Sequence, residues 1–350
     1  MRDEVFLTLA DGSIWSGKGR LASPAEGEVV FTTASCGYPQ TLTDPSYCGQ
    51  MVVFAFPPIG IYGVDRDRLE GRSVWLTAAL VSSLDEIENG RFARLSSWME
   101  ENGRPLIEGI DTRQLILRIR KVGSMMGRLD VEPVKPTISR LPDDMVSYVS
   151  CKKTEVIGDG DLTVGIVDYG VKEGIIRSFL SLGCRVVRFP SGTEAREILS
   201  AGLDGVVLSN GPGDPSVLKR EVGEIKKILG KLPLLGVCLG NQLLALACGA
   251  KTHKLTFGHR GANQPVVDLA TGRGILTSQN HQYAVSEDSL VGTGLEVAFR
   301  HLGDGTIEGL MHRAYGAASV QFHPEASPGP EDAGYVFAEF LARMRAARGE

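Results

Sequence analysis

The alternation of apolar and polar positions divides the chain into two stretches of different character. The first opens with Val5 to Ala10, a run that predicts a strand. The turn pair Asp11-Gly12 sends it back through Ser13 to Gly17 as a hairpin. Glu28 to Thr33, Met51 to Phe56 and Trp75 to Ser82 predict further strands. Leu84 to Asn102 reads as an interrupted helix, and Thr112 to Lys121 places Leu, Ile and Arg at helical spacing. Strands come first and helices later, with no clean strand–helix–strand repeat. Residues 1–145 are therefore expected to form a small mixed α/β domain. Residues 146–161, with Lys-Lys and Gly-Asp-Gly, read as a linker.

From residue 162 the pattern changes. Leu162 to Asp168, Arg185 to Phe189, Gly205 to Leu208 and Leu234 to Val237 are short apolar runs. Between them lie Val171 to Leu182, Thr193 to Leu199 and Val217 to Leu229 at helical period, and Gly240 to Ala247 follows the last run. Such alternation predicts a mostly parallel sheet flanked by helices over 162–350. Later strands fit Val266 to Asp268, Val297 to Phe299 and Ala317 to Phe322, and a helix fits Ala333 to Ala347. Ligands of such sheets sit beyond the carboxyl ends of the strands. The segments to inspect are Asp168-Tyr169-Gly170, Asn210 to Asp214, Gly236 to Gly240 and His323 to Glu325.

Composition narrows the function classes. The length of 350 residues favours two domains, and a net charge of −5 does not advertise a nucleic-acid or membrane surface. Small basic clusters, such as Arg113 to Lys121, read as solvated helix faces. The N-terminus is acidic within four residues and is not a signal peptide. The most apolar window, Leu232 to Ala250, is interrupted by proline, glycine and Asn241-Gln242, which excludes a membrane span. Six cysteines without a CxxC pair read as reduced thiols of a cytoplasmic protein, and the six histidines show no zinc-type clustering with them. No metal and no cofactor is expected on this chain.

One cysteine stands out. Gly236-Val237-Cys238-Leu239-Gly240 has the form G-x-C-x-G at a strand-to-helix junction. This is the cysteine version of a nucleophile elbow, where flanking glycines permit a tight turn and the helix start favours a thiolate and an oxyanion. The plainer alternative is a buried packing cysteine, which is how Cys248 reads. A nucleophile needs a base and the base an orienting group. Phe322-His323-Pro324-Glu325 offers both at the end of a predicted strand. The loop Asn210 to Pro215 lacks the lysine of a phosphate-binding loop and serves either as a turn or as an amide donor near Cys238.

Taken together, GVCLGNQ at 236–242, SNGPGDP at 209–215 and FHPEASPGP at 322–330 resemble a class I glutamine amidotransferase domain. GEVVFTTASCGYPQTLTDPSY at 27–47, GIDTRQLILRIRKVGSMMG at 109–127, GHRGANQPV at 258–266 and TSQNHQYAV at 277–285 resemble, more narrowly, the small-subunit family of carbamoyl phosphate synthetase. The resemblance implies that Cys238 attacks glutamine to form a γ-glutamyl thioester. His323 acts as base and then acid, and Glu325 orients His323. It implies an oxyanion hole from the amides of Gly211 and Leu239. It implies glutamine contacts from Ser46, Gly213, Gln242, Asn280, Gln282 and Tyr283, with Ser46 coming from the first domain. It also implies a heterodimer with a large subunit that makes carbamoyl phosphate from bicarbonate and two ATP, for arginine and pyrimidine synthesis. ATP and magnesium belong to that partner.

Asn241, Arg260, Ile61, Cys36 and Gln282 depart from the family pattern, and Gln282 and Ile61 touch the expected affinity or coupling. Three rivals stay open at this point: the amidotransferase subunit of another synthetase, a free γ-glutamyl hydrolase, and a silent subunit that kept the fold.

Overall fold

The computed structural model describes residues 3–86 and 92–350 and divides into two compact units, Met1–Pro142 and Asp143–Glu350. Among the described residues, the first unit contains β1 (Asp3–Leu9), β2 (Ile14–Gly19), β3 (Ala25–Thr32), α1 (Tyr38–Thr43), β4 (Gln50–Phe54), β5 (Ala78–Leu80), α2 (Leu95–Glu101), β6 (Leu106–Ile107), α3 (Thr112–Val122) and β7 (Met125–Asp130). They build a seven-stranded sheet in the order β2-β1-β7-β3-β4-β5-β6. The β1–β2 hairpin turns at Asp11-Gly12, where Gly12 has φ 89° and the Asp11 carboxylate accepts from the Ser13 amide. From β3 to β6 the strands run parallel, and the others are antiparallel. Helix α3 starts where the Asp111 carboxylate accepts the Gln114 amide, and it buries Leu115 and Ile119.

The second unit contains α4 (Met145–Val149), β8 (Glu155–Ile157), β9 (Leu162–Asp168), α5 (Glu173–Ser181), β10 (Cys184–Pro190), α6 (Ala195–Leu199), β11 (Gly205–Leu208), α7 (Lys219–Ile228), β12 (Leu234–Val237), α8 (Leu239–Ala247), β13 (Thr252–Asp268), β14 (Gly274–Val285), β15 (Glu296–His301), β16 (Ile307–His312), β17 (Ala317–Val320) and α9 (Tyr335–Arg348). Its ten-stranded sheet is parallel at the centre, β10-β9-β11-β12-β17. On one side β16, β15, β13 and β14 continue it antiparallel; on the other, β8 adds an antiparallel edge. The innermost strands β11 and β12 are apolar and buried at every position because both faces are covered. Val206 and Leu208 pack with α7 and α8, whereas Val207 between them packs with α5 and α9.

Several expectations change. Among the described residues of the interrupted helix only Leu95–Glu101 is helical, Leu84 sits in a bridge with Ile59, and residues 87–91 lie outside the described residues. The stretch 146–161 carries α4 and β8 where a linker is expected, because the edge of β10 offers unpaired backbone groups that Glu155–Ile157 satisfies. The largest difference is the long β13–β14 pair, of which only Val266 to Asp268 is predicted. Its alternation is broken by register shifts between Lys254 and His259 and between Gly261 and Gln264. Among the described residues, no helix is long and apolar enough to cross a membrane.

Candidate active site

Four neighbouring strands, β9-β11-β12-β17, end on the same side of the sheet, and each hands its next residues to one place. Past β12 comes Cys238; past β17 comes His323. Their strands are in register at Val237 and Val320, and the Cys238 amide donates to the Val320 carbonyl (2.8 Å). Past β11 comes the Asn210-Gly211 loop, and past β9 the loop to Lys172.

Cys238 caps α8 with φ 54° and ψ −102°, a left-handed backbone that L-residues avoid at a cost of about 1–3 kcal/mol. The sharp turn explains both flanking glycines. A Cβ on Gly236 would lie 2.6 Å from the Gly240 carbonyl oxygen, and one on Gly240 would lie 2.0 Å from that of Leu208. The thiol is buried and its S–H donates to the Asn280 carbonyl on β14 (3.6 Å). All six cysteines are free. Cys248 packs beside the core, and burial pushes its thiol up to about 11, as it does for Cys48 and Cys151.

His323 and Glu325 form a buried pair, Nδ1 to Oε1 2.7 Å. The carboxylate fixes the tautomer, since Nδ1 must carry the hydrogen and Nε2 is left for chemistry. Nε2 makes no hydrogen bond with the described residues, while the Cys238 thiol is near enough to act on the ring. Burial depresses the His323 pKa, but the Glu325 charge prevails and lifts it to about 10. Burial raises Glu325, yet Lys172 and His323 together hold it down at about 2.

Lys172 was not singled out by the sequence. Its Nζ lies 2.9 Å from Glu325 Oε1 and donates to the Ala326 carbonyl (2.8 Å), with its side chain 3% exposed. Two anchors hold it there. Buried Asp168 accepts the amides of Gly170 and Val171 and pairs with Arg188 (2.7 Å), and Asn210 Oδ1 accepts the Lys172 amide (3.0 Å). The available signal was position: a lysine just past a strand end, two residues after Gly170 at φ 125°.

The remaining expected residues divide. Gly211 lies against the elbow: a Cβ there would meet the Tyr169 carbonyl at 2.2 Å and the Leu239 side chain at 2.9 Å. Leu239 opens α8, where amides have no partner within the helix. Gly213, φ 94°, turns the same loop over Met145. Gln242 gives its amide nitrogen to the Tyr283 carbonyl and to Gln321. Asn241, where the family pattern has another residue, joins that network through Gln321 and Ser319. Gln282 faces β13: its Oε1 accepts from Arg260 (2.8 Å) and its amide nitrogen donates to the Leu255 carbonyl. Two departures from the family pattern, Gln282 and Arg260, are thus partners, and Gln282 is occupied as a scaffold residue rather than presented to a ligand. Ser46 belongs to the first unit, in a turn where its amide donates to Asp44 (2.9 Å).

A cysteine on a strained strand-to-helix turn, beside a buried histidine–carboxylate pair in an α/β unit, defines a triad amidotransferase of class I. The description "Glutamine amidotransferase class-I" matches residues 165–343, and "Carbamoyl-phosphate synthase small chain, CPSase domain" matches residues 7–129. The chain is 47% identical over 351 residues to the carbamoyl phosphate synthase small chain of Listeria monocytogenes, covering 97% of this chain and 96% of that one. It is 46% identical to that of Bacillus caldolyticus at the same coverage. It is 45% identical to the pyrimidine-specific small chain of Halalkalibacterium halodurans, covering 97% and 96%. The chain belongs to the carbamoyl phosphate synthase small-chain family.

Proposed function

We propose that this chain is the glutamine-hydrolysing subunit of a carbamoyl phosphate synthase and that Cys238, His323 and Glu325 carry the reaction. The observation that supports it best is the meeting of a left-handed Cys238 with the buried His323–Glu325 pair at adjoining strand ends.

An amide is a weak electrophile with a poor leaving group, so both ends need help. The Cys238 proton passes to His323 Nε2 to give a thiolate–imidazolium pair before glutamine is attacked, and the thiolate then adds to the side-chain carbonyl carbon of glutamine. The oxygen that becomes negative is received by the amides of Gly211 and Leu239. When the tetrahedral adduct collapses, the C–N bond breaks and His323 returns the proton to the departing nitrogen, releasing ammonia. Water, deprotonated by the same ring, then cleaves the γ-glutamyl thioester to glutamate and restores the thiol. Glu325 steadies the imidazolium throughout, and Lys172 keeps Glu325 ionised.

Gly213, Gln242, Asn280 and Tyr283 are assigned to glutamine binding. For Ser46 the same role rests on the family motif alone. Ammonia passes to a large subunit that consumes bicarbonate and two ATP with magnesium.

The test is glutaminase activity of the purified chain with and without that subunit. Cys238→Ala should abolish glutamate formation and His323→Asn should lower it at least ~10²-fold. Undiminished turnover by Cys238→Ala would overturn the assignment.

A further inference from the structure

A second group of ionisable side chains lies behind the strand that carries Asn280. His259 on β13 and His281 on β14 face each other in register, and Glu308 of β16 reaches the same spot. One donor atom from each lies within 4.8 Å of the others. We propose that His259 Nδ1, His281 Nε2 and Glu308 Oε1 bind one divalent cation of the zinc class.

The distances decide first. Glu308 Oε1 is 3.4 Å from His259 Nδ1 and 3.6 Å from His281 Nε2. Hydrogen bonds between charged groups run at about 2.7–2.9 Å, so these contacts are too long. Two donors each about 2.0–2.1 Å from a tetrahedral zinc are separated by roughly 3.3–3.5 Å, which is close to what is seen. Both His259 Nδ1 and Glu308 Oε1 are buried without a hydrogen-bond partner among the described residues.

The proton inventory points the same way. His281 Nδ1 faces the Tyr283 carbonyl (3.0 Å) and therefore carries a hydrogen. Its Nε2 is then a lone pair, yet it faces two acceptors, Gln279 Oε1 (3.2 Å) and Glu308 Oε1. The orientation of Gln279 is set by its amide nitrogen, which donates to Glu308 Oε2 (3.0 Å) and Thr277 (3.1 Å). His259 likewise places its Nε2 hydrogen on Asp304 (2.9 Å), turning the bare Nδ1 toward Glu308. Positive charge has to stand between these atoms. Two imidazolium rings with centroids 4.9 Å apart in a buried site repel each other, whereas one dication does not. With neutral rings, a dication balances the charges of Glu308 and Asp304. Each first donor is also held from behind, His259 by Asp304, His281 by a carbonyl and Glu308 by Gln279, the support that metal ligands characteristically receive. Gln279 Oε1 stands by as a fourth donor.

His301, stacked on His259 at 4.4 Å, is not a ligand. Its Nδ1 accepts the Gly303 amide (3.0 Å) and its Nε2 donates to Gln264 (3.1 Å), so no lone pair remains. No spacing in the sequence points to this cluster, because the donors come from three strands and include no cysteine. The site would tie β13, β14 and β16 together one residue from the carbonyl that receives the Cys238 thiol, and it stands independently of the glutamine chemistry.

The test is titration of the chelator-treated full chain with Zn²⁺ alone, in competition with a chromophoric chelator. One equivalent should bind and raise the unfolding temperature, with affinity falling at least ~10²-fold in His259→Asn and in Glu308→Gln. His253→Asn, altered outside the cluster, should bind as the parent does. Co²⁺ in the parent chain should show the intense visible bands of a tetrahedral site, a readout that needs no variant to fold. Absence of stoichiometric binding to the folded parent, an octahedral cobalt spectrum, or unchanged affinity in both variants would each overturn the proposal.

Discussion

At the scale of the residue, Cys238 is where local preference gives way to chemistry. Its φ of 54° is a conformation in which glycine is at ease and alanine is not. Elsewhere an alanine is the more stable of the two; here the order should reverse, with Cys238→Gly more stable than Cys238→Ala by about 1 kcal/mol. Urea unfolding of the two variants measures it, and the usual order would mean that the turn is unstrained. Lys172 makes a complementary case. Its ammonium is buried against Glu325, and removing one member of a buried ion pair leaves a charge in low dielectric. Lys172→Met should therefore destabilise the chain by about 3 kcal/mol and cut glutamine hydrolysis. If stability is lost while turnover per folded molecule holds, Lys172 serves the fold and not the ionisation of Glu325.

At the scale of the element, the site depends on how closely β11, β12 and α8 approach. Gly240 lets α8 start against β11, with no room for a methyl group beside the Leu208 carbonyl. Gly240→Ala should cost at least ~3 kcal/mol, read as a lowered denaturation midpoint or as insoluble protein. A parent-like midpoint would show that the contact yields easily. The β13–β14 pair tests a different point. Gln282 and Arg260 both depart from the family pattern and hydrogen-bond each other across it, so a double-mutant cycle of Gln282→Ala and Arg260→Ala should give a coupling of about 1 kcal/mol or more. Additive effects would make the two departures unrelated. This pair also marks where the sequence stops being readable. The parallel strands were legible, β9, β11 and β12 to the residue, because burial on both faces makes them continuous apolar runs between turn signals. Cys238, His323 and Glu325 stood out because the glycines and the proline around them have few other uses. The β13–β14 pair was not legible, because bulges break its alternation. Lys172 escaped for another reason: its role comes from a contact to Glu325, 153 positions along the chain, and no local pattern encodes that.

At the scale of the whole molecule, buried charge sets how stability follows pH. Glu325 and Asp304 are held near 2, below their ordinary 4.5 and 3.8. A depressed carboxyl stabilises the fold above its unfolded pKa and loses that contribution as pH falls toward the folded value. Acid should therefore weaken the chain from about pH 4.5 down to about 2. His323 has the opposite sign. Lifted from 6.5 to about 10, it contributes fully below 6.5 and loses its contribution as pH rises through 10. Stability should therefore peak between about pH 4.5 and 6.5, on the acid side of neutrality. Urea midpoints at acid, mid-range and alkaline pH locate the maximum. His323→Asn should flatten the alkaline limb while leaving the part of the acid limb that belongs to Asp304, because Asp304 draws its depression from Thr306 and His259. A parent chain whose midpoint keeps rising through pH 9 would mean that His323 is neutral in the resting protein. The cysteine would then have to lose its proton to an uncharged ring within each turnover, rather than meet an imidazolium already in place.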